Sequence, residues 1–276
     1  MKNATQRFKI LVIPLLLLSI HGLAVAESDL EVTYLANEGY LLRAGDQAVI
    51  IDGFVTEPYS IYGAVPPDAW AKMIAGEPPF EKIDVALVSH IHRDHVQPDA
   101  ARTFLERHPE TVFASSPHVV DAVGGQAESR RMYWPAPGTV GNLEHNGVRV
   151  QLFRLPHGGQ RHKAIQNLGH VIEIGGFKIL HIGDADGSEK NYEPYELSAQ
   201  GIDVALVPYW FLLETAGREL VANHLQGRFT VASHVPPEQL DEVAEQLART
   251  MPEAVLFRSS MESRRFHAAP ISETPD

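Results

Sequence analysis

The sequence predicts an α/β fold in which two sheets carry outer helices within a single domain. Three observations predict it. Short apolar runs rich in β-branched residues, such as Ile83-Asp84-Val85-Ala86-Leu87-Val88, alternate with helix-like stretches. Strands come first in each half and helices later, with no low-complexity linker between the halves. The same hexapeptide, Ile-Asp-Val-Ala-Leu-Val, recurs at 202–207, which suggests two related strand positions in two half-domains. The chain has 276 residues, 44% hydrophobic and 21% charged, enough for a sizeable core and too apolar for disorder.

The elements follow in order. Residues 30–52 read as short antiparallel strands with turns near Asn37-Glu38 and Ala44-Gly45-Asp46. Residues 66–76 read as a short helix, with proline near its start and glycine at its end. The apolar run at 83–89 reads as a strand buried on both faces. Residues 99–108 suggest a helix, 111–116 a strand, and 117–125 a helix closed by glycine. The second half reads as strands at 147–157 and 167–187, the latter a hairpin linked by Gly175-Gly176. The repeated hexapeptide follows, then an amphipathic helix at 236–250 and a last strand at 253–258. Residues 57–64 and 129–141, rich in Pro, Gly, Tyr or Trp, read as long loops and candidate substrate walls.

Residues 1–26 read as an export signal. Lys2, Arg7 and Lys9 precede the apolar run 10–20, and Ala24-Val25-Ala26 forms a small-x-small cleavage site. The run is short for a membrane span and Pro14 interrupts it. The expectation is therefore a protein exported to the periplasm or secreted, cleaved near Ala26, with 27–276 forming one domain and no stable membrane insertion. Formal net charge is −12, and the signal contributes only basic groups, so the remainder is more acidic still. Such a surface repels polyphosphate backbones and disfavours nucleic acid, leaving a small molecule as the expected partner. The chain has no cysteine, so any metal must be held by nitrogen and oxygen.

Chemistry concentrates at strand ends. His90, His92, Asp94 and His95 lie within six positions, directly after the apolar run 83–88. Imidazole and carboxylate suit zinc and neighbouring divalent ions. One ion taking all four would need a very tight turn and would keep no open position for water, so a two-metal site needs further ligands downstream. His157, Asp184 and His234 each stand where a strand gives way to a turn. His224 competes with His234. His170 and His181 lie inside strands, where histidines more often support a site than ligate. Asp52 and Asp186 are candidates to orient ligand histidines, and Trp210 to wall a pocket.

These residues resemble the metallo-β-lactamase fold superfamily, whose H-x-H-x-D-H signature stands here as His90-x-His92-x-Asp94-His95, followed in order by His157, Asp184 and His234. Residues 167–187 look most like the branch that includes ascorbate-phosphate lactonase-type and N-acyl-phosphatidylethanolamine phospholipase D-type enzymes. The resemblance implies a four-layered αββα sandwich with two divalent metal ions at one edge, zinc favoured and manganese or iron admissible. It assigns His90, His92 and His157 to the first ion, and Asp94, His95 and His234 to the second, with Asp184 bridging. Asp94 and Asp184 would be the catalytic carboxylates. A metal-bound hydroxide would attack a small ester, lactone or phosphodiester. The β-lactamases proper of this fold do not use a bridging aspartate at the position of Asp184, so lactam cleavage, like a non-catalytic metal-binding module, is the alternative.

Overall fold

The computed structural model describes residues 29–124 and 129–268, so the expected export signal lies outside the described residues. Strands β1 (Leu30–Ala36), β2 (Gly39–Ala44) and β3 (Gln47–Ile51) form an antiparallel meander. Helix α1 (Pro67–Ala75) then leads to β4 (Val85–Leu87), α2 (Pro98–Arg107) to β5 (Val112–Ser115), and α3 (Pro117–Val123) to β6 (Arg130–Met132). These last three strands add to β3 in parallel. All three helices begin with proline, whose missing N–H costs nothing in a first turn. Helix α1 stops at Gly76, where φ of 66° lets the amide reach back to the helix carbonyls.

The second half repeats the scheme. Strands β7 (Val140–His145), β8 (Val148–Arg154), β9 (Leu168–Ile174) and β10 (Phe177–His181) are antiparallel. Strands β11 (Val204–Pro208), β12 (Phe229–Ser233) and β13 (Val255–Leu256) follow in parallel. Helices α4 (Tyr209–Leu213), α5 (Thr215–Leu220) and α6 (Leu240–Thr250) belong to this half. A final strand, β14 (Ser263–Phe266), crosses back to pair antiparallel with β1. The result is two seven-stranded sheets, ordered β14-β1-β2-β3-β4-β5-β6 and β13-β12-β11-β10-β9-β8-β7.

Three apolar layers make this an αββα sandwich. Leu30, Val32, Leu42 and Ile51 of one sheet meet Val150, Leu152, Ile172 and Ile179 of the other. The alternate residues Leu41, Ile50 and Ala86 face away and pack on Ala69, Met73, Phe104 and Val120 of the first three helices. Leu180, Ala205 and Val207 pack likewise on Leu212, Leu220, Val243 and Leu247. The period of two thus buries both faces of the central strands, which is why they read as continuous apolar runs. Full burial of one such side chain, Phe104 for example, contributes about 2–3 kcal/mol.

The two copies of the hexapeptide are structurally equivalent. Ala48, second residue of β3, donates its N–H to Asp84 Oδ2 at 2.9 Å and accepts the Asp84 N–H at 2.9 Å. Lys178, second residue of β10, makes the same pair with Asp203, at 2.9 and 2.8 Å. Each aspartate is therefore a side-chain clasp at the start of the first parallel crossover of its half.

The sequence reading missed three edge strands. Residues 129–141 were expected to be loop throughout, yet they contribute β6 and the start of β7. Strand β13 was expected to be the last, and β14 lies beyond it. Among the described residues no helix is long and apolar enough to cross a membrane.

Candidate metal centre

All parallel strands of both sheets end toward one edge, where their C-terminal loops meet. The loop after β4 delivers four groups: His90 and His95 are fully buried, Asp94 is nearly so, and His92 is partly open. The loop after β8 delivers His157, that after β10 Asp184, and that after β12 His234. Gly183 explains the turn that places Asp184. Its φ is 54°, and a Cβ there would meet Asn167 Oδ1 at 2.4 Å and Ser89 Cβ at 2.8 Å. His234 itself takes a left-handed φ of 62°, an uncommon conformation for histidine, held by its N–H donating to the Asn37 carbonyl at 3.0 Å.

The seven side chains fall into two sets. His92 Nδ1 lies 3.1 Å from His90 Nε2 and 3.2 Å from His157 Nε2. Asp184 Oδ2 stands 3.7 Å from His90 Nε2 and 3.5 Å from His157 Nε2. In the second set, His95 Nε2 and His234 Nε2 are 3.1 Å apart. Asp94 Oδ2 lies 3.3 Å from His234 Nε2 and 3.9 Å from His95 Nε2. The other oxygen of Asp184, Oδ1, stands 3.3 Å from His234 Nε2 and 3.5 Å from His95 Nε2. One carboxylate therefore faces both sets, a different oxygen to each.

These spacings suit a cation. Ligands 2.0–2.1 Å from a tetrahedral ion lie roughly 3.3 Å from one another. The tautomers agree. Ser89 gives its hydroxyl proton to Asp52 Oδ2 at 2.6 Å, so its oxygen accepts from His90 Nδ1 at 3.0 Å. His95 Nδ1 donates to the same Asp52 oxygen at 2.8 Å, and His157 Nδ1 donates to the Gly158 carbonyl at 2.7 Å. All three rings thus turn an Nε2 lone pair inward. Asp184 Oδ1 is buried with no hydrogen-bond partner. Converging lone pairs and an unpaired carboxylate oxygen are a donor set for divalent ions.

Without an ion the carboxylates draw positive charge onto the imidazoles, a role that a bound cation would take over. Burial opposes the ionised form of Asp184, but His234 and His95 outweigh it and hold the carboxyl well below its ordinary range. Burial likewise opposes a charged His95, while Asp184 and Asp52 lift it well above the usual histidine value. Burial depresses His92 to about 4, with His157 adding to the effect. Burial raises Glu38, on the floor of the centre, to about 8, and Asp184 adds to the push.

Of the supporting candidates, Asp52 holds His95 and also accepts the Ser89 N–H at 2.7 Å. It does so from a left-handed φ of 47° at the end of β3. His181 is buried beneath, its Nε2 3.8 Å from Asp52 Oδ2. The Trp210 ring lies 5.3 Å from that of His234. Two expectations are corrected. Asp186 orients no ligand histidine; its Oδ1 accepts from the Ser188 N–H and Asn191 Nδ2 and shapes the turn after Asp184. His224 lies on the turn after α5, its Nε2 3.8 Å from Glu189 Oε2, whereas His234 Nε2 stands 3.3 Å from both Asp94 and Asp184. Ser89 and Glu38 lie outside the expected site residues; Tyr62, whose ring meets His234 edge-on at 4.7 Å, belongs to the 57–64 loop expected as a substrate wall. Serine directly before the first histidine was the one visible signal for Ser89 or Glu38.

Residues 31–234 match the family model described as beta-lactamase superfamily domain. The chain belongs to the metallo-β-lactamase superfamily. Members with known structures share its fold at low identity. Igni18, a metallo hydrolase from the hyperthermophilic archaeon Ignicoccus hospitalis, superposes with a TM-score of 0.60 at 17% identity, covering 88% of this chain and 100% of that one. A possible metal-dependent hydrolase from Veillonella parvula gives 0.62 at 13%, covering 86% and 99%. The metallo-beta-lactamase fold protein YhfI from Bacillus subtilis gives 0.57 at 12%, covering 87% and 100%. No curated protein sequence matches the chain.

Proposed function

We propose that the chain hydrolyses a small ester, lactone or phosphodiester with the help of two divalent ions, zinc foremost. The observation that carries this reading is Asp184, whose two oxygens face two separate histidine sets at 3.3–3.7 Å. His90, His92, His157 and Asp184 would hold one ion; Asp94, His95, His234 and Asp184 the other. When bound, such a pair supplies Lewis acidity toward the substrate oxygen and a water ionised near neutral pH.

The chain's own groups do the rest. Asp52 keeps the His95 proton on Nδ1, and the Gly158 carbonyl keeps that of His157 on Nδ1, so both rings stay oriented without adjustment. Asp94 and Asp184 set the negative charge of the floor. The open face of the centre is a cleft of about 230 Å³ lined by Tyr59 and Tyr62, by Arg161 and His162, and by His92, Asp94, His157 and Asp184. That volume suits a small substrate. The tyrosines offer contact to an apolar part, and Arg161 to an anionic one. The acidic composition and the small cleft both speak for a small molecule over nucleic acid. We also propose export, on the strength of residues 1–26; a mature protein that begins at Glu27 by mass spectrometry would support it, and one that keeps Met1 would not.

The test is metal analysis of the purified chain together with a panel of chromogenic esters, lactones, bis-phosphodiesters and nitrocefin. Two metals per chain and turnover of an ester, lactone or phosphodiester are expected. Less than one metal per chain, or undiminished turnover by His92→Ala, overturns the reading. Efficient nitrocefin cleavage moves the substrate class to lactams.

A further inference from the structure

We infer that Glu38 is an additional carboxylate ligand of the second ion, reaching it from beneath the His95–His234 pair. This rests on the two-ion reading above. Glu38 occupies the turn between β1 and β2, two residues before Tyr40, whose side chain lies in the core between the sheets. It is 1% exposed. Ser233 Oγ donates to its Oε1 at 3.1 Å. Its Oε2 accepts no well-formed hydrogen bond, and His181 Nε2 stands 3.4 Å away. One ligand atom each from Glu38, His95 and Asp184 lie within 4.8 Å of one another, which puts the Glu38 carboxylate beside the second set.

A separate, third ion among Glu38, Asp52 and His181 is the competing explanation, since these groups also converge. The proton on His181 argues against it. The Gly183 N–H donates to His181 Nδ1 at 3.3 Å, which leaves the ring's own proton on Nε2. That Nε2–H lies between the Glu38 carbonyl at 3.3 Å and Glu38 Oε2 at 3.4 Å, and offers no lone pair to a cation. Both oxygens of Asp52 are already taken, Oδ1 by the Ser89 N–H and Oδ2 by Ser89 Oγ and His95 Nδ1. What remains is Glu38 and the second set. With it that set holds three carboxylates and two imidazoles, against one carboxylate and three imidazoles in the first. The harder set tolerates manganese or iron, while the first favours zinc.

Cobalt(II) tests this on the full chain, first stripped of metal with a chelator, because its visible absorption weakens as coordination number rises. The wild-type chain is expected to take two Co²⁺, the second with weak visible bands. Glu38→Gln, which keeps the shape and the Ser233 contact, should bind the first ion as before. It should bind the second at least about tenfold more weakly and with stronger bands. Ser233→Ala, which leaves the carboxylate in place, should keep the second ion within about twofold of wild type. Retained first-ion affinity is the folding control. Unchanged binding of both ions by Glu38→Gln overturns the inference, as does weaker binding with no spectral change or loss of both ions. A wild-type chain that takes fewer than two ions overturns the two-ion reading and this inference with it, a result distinguishable from failure in Glu38→Gln alone.

Discussion

The ends of β4 and β11 start from the same hexapeptide and the same aspartate clasp, and then diverge. After β4 the chain runs Ser89-His90-Ile91-His92 and turns in between the sheets, where His90 is fully buried. After β11 it runs Pro208-Tyr209-Trp210-Phe211 and coils into α4, whose Phe211 and Leu212 pack into the outer layer. One half would supply ligands from this position, and the other an aromatic wall behind His234 rather than a lining of the cleft. Yet both face the same centre, because the Trp210 ring reaches to 5.3 Å from His234. A repeated scaffold thus offers equivalent positions, and the three or four residues after each strand decide what the position does.

The largest expected effect comes from setting the two loops against each other. His92→Ala should cost at least about a hundredfold in metal affinity and in turnover, since even groups one shell out from a metal are worth ten- to a hundredfold. Trp210→Ala should keep both metals and cost no more than about tenfold in turnover. Equal metal loss in the two variants, read by elemental analysis, would erase the distinction between ligand loop and wall. Asp52→Asn comes next. It removes the acceptor for His95 Nδ1 and should weaken the second ion by about 10–100-fold while sparing the first.

Smaller effects probe the clasps. Asp84 is 1% exposed and takes the Ala48 N–H, Asn146 Nδ2 at 3.0 Å and Lys82 Nζ at 3.6 Å. Asp203 is part-exposed and takes the Lys178 N–H, with Arg228 at 3.6 Å. Alanine at Asp84 should therefore cost about 2–3 kcal/mol and at Asp203 about 1 kcal/mol, by urea denaturation. Equal costs would mean that burial does not separate the two.

The smallest effect lies between the sheets, at His170. Both its ring nitrogens are buried without partners, and burial, with a contribution from His181, depresses it to about 3. The folded chain then binds fewer protons here than the unfolded one between the ordinary histidine value, about 6.5, and 3. Stability is therefore present above pH 6.5 and is lost as pH falls through that window. His170→Leu should add about 1 kcal/mol at pH 7 and flatten the acid limb of a Tm–pH curve. A variant with an unchanged acid limb would exclude His170 as its source.

Much of this was legible from residues alone. The central strands announced themselves because both faces are buried, α1 because proline opens it, and α3 because glycine closes it. The seven convergent groups stood at strand ends, where pattern and chemistry coincide. Edge strands hid for the opposite reason. Arg130-Arg131-Met132 and Ser263-Arg264-Arg265 are largely open to solvent and carry no apolar alternation. Helix α4, a five-residue aromatic run, was read only as residues following a strand. Glu38 was invisible because an Asn-Glu pair between strands looks like any polar turn; only the other sheet, laid across it, makes that carboxylate buried. His234 was favoured over His224 because it follows a β-rich run, as strand β12 shows it to do.

The return of β14 to β1 orders events in time. Thr33 Oγ1 and Ser263 Oγ meet at 2.7 Å across 230 residues of chain. Until Ser263 has been synthesised, β1 has no neighbour on that side, and its free amides and carbonyls wait on solvent. Local meanders and crossovers can assemble early, but the first sheet is sealed only by pairing across 230 or more residues of chain, which carries a large loop-closure cost. A nascent chain of this protein is thus held short of its final form until nearly all of it exists.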